Sequence, residues 1–142
     1  MKSLILCLTL FGLNASVAHA AKDEVKIDPK EKAELTLKAP DNLKVKESAQ
    51  ISFTIKPEKG WKVSMEAPLS VKLSNAGKVA ITKRKLGLKD GKAQGKGIVL
   101  TTTLEGAAAG ADTVKASATY FLCTADVCKR FSASREIALK VK

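Results

Sequence analysis

The feature that most constrains this chain is a period-two alternation of apolar and polar residues that recurs, broken by turn signals, from Ala33 to Val141. Successive side chains of an extended strand point to opposite faces, so such alternation builds half-buried strands and cannot sustain the stripe of an amphipathic helix. Ala33, Leu35 and Leu37 alternate with charged or polar residues before Pro40-Asp41-Asn42 turns the chain. Ala49, Ile51, Phe53 and Ile55 form the next run, closed by Pro57 to Gly60. Trp61, Val63 and Met65 make a third, and Leu69, Val71 and Leu73 a fourth that ends at Asn75-Ala76-Gly77. Val79 and Ile81 open a fifth, and Ile98 to Leu104 form a sixth after a glycine-rich loop. Val114 through Leu122 and Phe131 through Val141 complete the pattern. Seven or eight short strands with frequent turns predict an all-β domain, an immunoglobulin-like antiparallel β-sandwich over residues 33–142, with an open barrel as the alternative.

The N-terminal residues 1–20 read differently. Lys2 supplies a positive start, Leu4 to Leu13 an apolar stretch, and Ala18-His19-Ala20 a small-x-small cleavage site, the three zones of a secretory signal. The apolar stretch is about ten residues, whereas a bilayer span needs about 20. Residues 21–32 are charged and aperiodic and read as a flexible lead-in. The protein is therefore expected to be periplasmic or secreted, with no transmembrane segment after processing.

Cleavage after Ala20 removes His19, the only histidine, together with Cys7, and leaves Cys123 and Cys128 as the cysteines of the mature chain. Histidine-based general bases, triads and metal sites are thereby excluded, and a closed four-ligand zinc site is not expected. No motif calls for a cofactor. An even cysteine count in an exported chain reads first as one disulfide.

The net charge is +11, of which Lys2 leaves with the signal. Such a charge favours acidic partners, here an acidic component of the cell envelope. Nucleic acid is not an expected partner: export argues against it, and the five aromatics that survive processing give no stacking platform. Lys83, Arg84, Lys85 and Lys89, with Lys92 and Lys96, cluster around the segment Gly87 to Gly97. That segment lacks the spacing of a phosphate-binding loop and reads as a hairpin loop. Its cations are either a solvated edge or an anion-docking site. Trp61, after Gly60, is expected to fill the core or plug one end of the sandwich, with a binding role as the alternative.

Cys123-Thr-Ala-Asp-Val-Cys128 lies between two strong strand runs, which places it at a hairpin tip. Opposed cysteines there accept a disulfide. As a structural staple the bridge closes a short loop worth about 2 kcal/mol in the chain-entropy model. Two features favour reactivity instead. Alternation on both flanks puts the bridge on the face away from Tyr120 and Phe131, hence off the core. Lys129 and Arg130 follow Cys128, and nearby cations lower a thiol's pKa.

The stretch from Lys59 to Leu73, with Gly60-Trp61-Lys62-Val63, and the hairpin Tyr120-Phe-Leu-Cys-Thr-Ala-Asp-Val-Cys-Lys129, resemble the DsbD-like family, the N-terminal periplasmic domain of the transmembrane thiol–disulfide interchange protein DsbD. The resemblance covers about Lys46 to Lys142. It implies an immunoglobulin-like sandwich that docks thioredoxin-fold redox partners in the periplasm and exchanges electrons with them through a cysteine pair. Cys123 and Cys128 match that pair in order, which makes Cys128 the attacking thiol. The family spaces its cysteines one residue further apart than here.

Export has a direct test. Intact-mass measurement of the protein from the envelope fraction is expected to give a chain that starts at Ala21 and is two hydrogens lighter than its reduced form. A retained Met1 in that fraction refutes the cleavage.

Overall fold

The structure, a computed structural model, describes residues 30–142; the expected signal peptide and the lead-in before Lys30 lie outside the described residues. Eleven strands follow one another: β1 (Ala33–Lys38), β2 (Asn42–Leu43), β3 (Ser48–Pro57), β4 (Lys62–Val63), β5 (Ser70–Ser74), β6 (Val79–Ile81), β7 (Lys85–Leu86), β8 (Gly91–Gln94), β9 (Gly97–Gly106), β10 (Gly110–Cys123) and β11 (Cys128–Val141). A single 3₁₀ turn, Leu88–Asp90, joins β7 to β8. The strands form two sheets, one in the order β1-β3-β9-β6 with β8 also on β9, the other β2-β11-β10-β5-β7 with β4 also on β10. The result is the expected immunoglobulin-like sandwich.

The alternating residues make its core. Ile51, Phe53 and Ile55 of β3 and Ile98, Leu100 and Leu104 of β9 face Val71 and Leu73 of β5 and Val114, Ala116, Ala118, Tyr120 and Leu122 of β10, all buried. Burying each large apolar side chain contributes roughly 1.5–3 kcal/mol, and truncating Phe53 to Ala would cost about 3–5 kcal/mol.

Three short elements depart from the sequence reading. Asn42, assigned to a turn, starts β2, which pairs with the last residues of β11 in parallel: Asn42 lies opposite Lys140 and Leu43 opposite Val141. The crossover from β6 in one sheet to the other sheet creates β7, opposite Lys72 and Val71 of β5. The glycine-rich segment is a hairpin, but one with a strand of its own. Gly91 to Gln94 pair with Leu100 to Gly97, so the connection shrinks to Gly95 and Lys96, with Gly95 at φ +58°. Gly97 cannot carry a side chain, since a Cβ there would sit 2.2 Å from the carbonyl oxygen of Ile55. The domain also begins earlier than Ala33. The Tyr120 hydroxyl donates to the Glu31 carbonyl at 2.9 Å, and Arg135 holds the Glu31 carboxylate through both guanidinium nitrogens, at 2.6 and 3.2 Å. Glu31 and Lys32 therefore belong to the sandwich, although their charge suggested the lead-in.

Among the described residues, Asp112 is the one charged residue in the core, 3% exposed. Its position near the start of β10 has the inward parity of Val114 and Ala116. The carboxylate accepts from Asn75 Nδ2 and from the backbone N–H groups of Ala76, Lys78, Val79 and Thr113, all at 2.8–3.0 Å. It thereby satisfies the turn between β5 and β6. Burial pushes its pKa up, but the Asn75 amide and the backbone donors of Ala76, Val79 and Lys78 outweigh it and hold the group at about 2.

A carboxyl held below its unfolded value stabilises the fold above that value and loses the contribution as pH falls through the folded pKa. Wild-type stability should thus drop by roughly 2 kcal/mol between about pH 5 and pH 2 on account of Asp112. Asp112→Asn should be less stable at pH 7 by roughly 2 kcal/mol, because a donor then faces donors. Its decline in acid should be correspondingly shallower. Urea melts across this pH range read both effects; parallel wild-type and variant curves would refute the assignment.

Candidate functional site

Cys123 ends β10 and Cys128 begins β11, the last rung of a ladder that pairs all fourteen residues of each strand, from Gly110↔Val141 to Cys123↔Cys128. The two sulfurs are bonded, with the Cα atoms 4.0 Å apart. The connection is held by its own first residue. Thr124 N–H donates to the Val127 carbonyl at 2.7 Å, and Thr124 Oγ1 accepts from the N–H groups of Asp126 and Val127 at 3.3 and 3.2 Å. A threonine hydroxyl that satisfies local backbone donors is a common way to close a tight loop.

Parity along the ladder places the bridge on the outer face, as the alternation predicts. Tyr120 and Phe131 sit opposite each other on the inner face, stacked at 5.7 Å, and Trp61 meets Phe131 edge-on at 5.9 Å. Trp61 is half-buried against the core and plugs this end of the sandwich. The bridge itself is asymmetric. Cys128 is exposed, whereas Cys123 is only 6% exposed, although it stands outside the main apolar cluster. The reason is β4, which lies along β10 with Lys62 opposite Cys123 and Val63 opposite Leu122. β4 also joins the two sheets: Ser64 N–H donates to the Phe121 carbonyl at 2.9 Å, and Val63 N–H to the Lys96 carbonyl at 2.8 Å.

Three parts of the chain thus converge around the sulfurs: the cysteine hairpin, the segment after β4 and the tip of the β8–β9 hairpin. Between them runs an open groove of about 500 Å³, lined by Cys123 and Cys128 together with Lys62, Ser64, Met65 and Lys96. A second recess of about 310 Å³ continues past Trp61 and Ala125. Two large apolar side chains flank the bridge in the open, Met65 at 50% and Val127 at 45% exposure.

The cations divide differently from the sequence reading. Arg130 shares the outer face with Cys128, opposite Phe121, whereas Lys129 lies opposite Leu122 and has the other parity. Lys62 and Lys96, which line the groove, are the lysines brought to the sulfurs by the fold. Lys62 was missed because its role needs β4 beside β10; Lys96 was visible only as one lysine of a basic loop.

The four cations of the candidate anion-docking group have different surroundings. Lys83 forms an ion pair with Asp90, which also accepts from Gly87 N–H at 2.8 Å. The Lys83 bond, then the Gly87 donor, hold the Asp90 carboxyl below its usual pKa, against a smaller opposing effect of burial; Lys89 adds to the lowering. Arg84 donates to Asn75 Oδ1 at 2.9 Å, joining the Asp112 network. Lys85 is separated from them on β7, opposite Lys72.

No protein-family model matches the chain, and no curated protein matches it. Solved structures do resemble it. The native conformation of Escherichia coli alpha-2-macroglobulin aligns with a TM-score of 0.54 at 12% identity, over 78% of this chain and 7% of that chain. The trypsin-activated form from Escherichia coli aligns with a TM-score of 0.50 at 12% identity, over 76% of this chain and 7% of that one. A cohesin module from a Clostridium perfringens family 33 glycoside hydrolase aligns at 0.44 and 12% identity, over 79% and 99% of the respective chains. The present chain spans 7% of the macroglobulin chains, and the likeness to them is one of fold.

The unequal cover of the two sulfurs has a measurable consequence. After reduction, Cys128 should react with iodoacetamide at least about tenfold faster than Cys123 in the folded protein, and equally fast in denaturant. Peptide mapping by mass spectrometry at timed quenches reads both rates. Equal rates in the folded protein would mean that β4 does not shield Cys123.

Proposed function

We propose that this chain is an extracytoplasmic, DsbD-like β-sandwich that docks thioredoxin-fold partners and exchanges a disulfide with them through Cys123 and Cys128. The observation that carries this reading is that Cys128 is an exposed residue off the core, on an open groove that exposed Met65 also lines, with exposed Val127 next to it in the chain. A bridge that serves only as a staple gains nothing from apolar side chains left in water around it. A partner gains from them, because burying exposed apolar area is what docking uses. The resemblance of the cysteine hairpin to the DsbD-like family supports the same reading and points to the periplasm.

The chemistry follows from the asymmetry. Exchange begins with a thiolate attacking one sulfur of a disulfide along the S–S axis. In the oxidised protein Cys128 is the sulfur within reach. A partner thiolate attacks Cys128 Sγ, the Cys123–Cys128 bond breaks, and Cys123 leaves as a thiolate. The second partner thiolate then attacks the partner sulfur of the mixed disulfide and releases Cys128. The partner leaves oxidised and the domain holds two thiols, having gained two electrons. In reverse, reduced Cys128 attacks a partner disulfide, and Cys123 resolves the mixed disulfide by attacking Cys128 Sγ. Lys62, Lys96 and Arg130 favour the thiolate in both directions by lowering the cost of its charge.

Removing the resolving cysteine should trap the partner. A Cys123→Ser variant expressed with its signal should accumulate covalent complexes, seen by non-reducing electrophoresis after acid quench and identified by mass spectrometry. Cys128→Ser should accumulate few. Replacing Lys62 and Lys96 together with Gln should slow trapping near neutral pH by about three- to tenfold, with less effect at pH 9, where the thiolate forms without help. If neither single-cysteine variant captures a partner and the wild-type bridge resists glutathione, the bridge is a staple and the domain a non-enzymatic binding module.

A further inference from the structure

A second feature of the molecule lies on the same outer face as the bridge and borders it at Arg130. The outer face of the β11-β10-β5-β7 layer carries cations and hydroxyls in register. One row across three strands reads Ser132, Thr119, Ser70; the next reads Ser134, Ser117, Lys72, then Lys85 on β7. Arg130, opposite Phe121, borders the first row. Between them lies a shallow depression of about 460 Å³ whose lining includes Lys72, Lys85, Arg130, Ser70, Thr119 and Phe121.

Two observations single out this face. Lys72 and Lys85 are directly opposed across β5 and β7, a placement that destabilises a sheet when the charges are alike. Among the described residues, none of Lys72, Lys85 and Arg130 has an ion-pair partner, whereas Lys32, Lys83 and Arg135 each have one. The charge thus converges on a concave site without an ion-pair partner among the described residues.

We propose that this face binds an acidic polysaccharide, with the carboxylates of the glycan on Lys72, Lys85 and Arg130, its hydroxyls on Ser70 and Thr119, and a sugar ring against Phe121. Charge complementarity selects an anion. The hydroxyl rows select a polyol over a bare ion. The extent of the face, three interstrand spacings or about 14 Å, suits an oligosaccharide. A lipid surface fits less well, because none of the strongly exposed large apolar residues, Val45, Met65 and Val127, lines the depression.

The probe is a size-fractionated polygalacturonate oligosaccharide, with neutral dextran oligosaccharide and phosphatidylglycerol vesicles in parallel, measured by calorimetry or affinity electrophoresis at about 150 mM salt. The wild-type mature domain should bind polygalacturonate and not dextran. Lys72→Glu with Lys85→Glu should weaken binding at least tenfold. Lys38→Glu with Lys56→Glu, an equal charge change on exposed positions of the other sheet, should weaken it less than threefold. Thermal melts establish that all variants fold. Equal losses from the two double variants would mean that net charge alone attracts the glycan, and the proposal falls. Binding to vesicles without binding to polygalacturonate also overturns it. Cys128→Ser should bind polygalacturonate normally, and the Lys72/Lys85 double variant should still support trapping in the Cys123→Ser background, so this proposal and the redox reading fail separately.

Discussion

Everything distinctive about this molecule hangs on the register of one long antiparallel ladder. β10 and β11 pair without interruption over fourteen residues each. The side-chain period of a strand is two, so a slip of one residue would turn every inward side chain outward. The register is protected at several points along its length. Val114, Ala116, Ala118, Tyr120 and Leu122 are buried on one side of β10. Asp112 on that same parity is fixed by five donors at one end, and the Cys123–Cys128 bond closes the other. With the register set, the outer parity is set too. Phe121, Arg130 and the bridge then share a face, and the serines and threonines of the two strands fall into rows.

Much of this was legible before any coordinates. The long strands carry their own alternation, so β1, β3, β5, β9, β10 and β11 appear where the pattern puts them, although β10 and β11 begin four and three residues before the alternation at Val114 and Phe131. The parity of Tyr120, Phe131 and the cysteines followed from the same counting. What was not legible is short and depends on a neighbour. β2 and β7 are two residues each, too short to show a period, and the edges of longer strands make them; β4, equally short, falls within the run of Trp61, Val63 and Met65. β8 has only one apolar residue, Ala93, and was hidden by its glycines. Asp112 could have been found, because it falls on the inward parity of β10 and a buried carboxylate must have donors. Four of its five donors could not, since they lie more than thirty residues away at the β5–β6 turn. Tyr120 likewise announced a buried hydroxyl in need of an acceptor, but nothing in the pattern singled out the Glu31 carbonyl.

The site shows the same division between local and tertiary information. Two cysteines at a hairpin tip are a local fact. The cover on Cys123, the exposure of Met65 and the arrival of Lys62 and Lys96 are tertiary facts, produced when β4 pairs with β10 on one side and bonds to the Lys96 carbonyl on the other. Reading cations from adjacency alone therefore overstated Lys129. Neighbours in sequence on a strand point to opposite faces, so of Lys129 and Arg130 only the second shares the face of the bridge.

The placement of the bridge also bears on whether it can open without cost to the fold. A disulfide stabilises chiefly by restricting the unfolded chain, and one that closes a loop of about six residues is worth about 2 kcal/mol. Thirteen further rungs of the ladder, the aromatic stack of Trp61, Phe131 and Tyr120, and the clasp of Arg135 on Glu31 are all independent of the sulfur–sulfur bond. So are the Thr124 hydrogen bonds that shape the connecting loop. A reduced protein would keep the loop, the strand ends and the groove where they are, with two thiols held at the tip. That is the physical requirement on a dithiol that must close again after each exchange: the geometry of closure has to be stored in the rest of the fold and not in the bond that breaks.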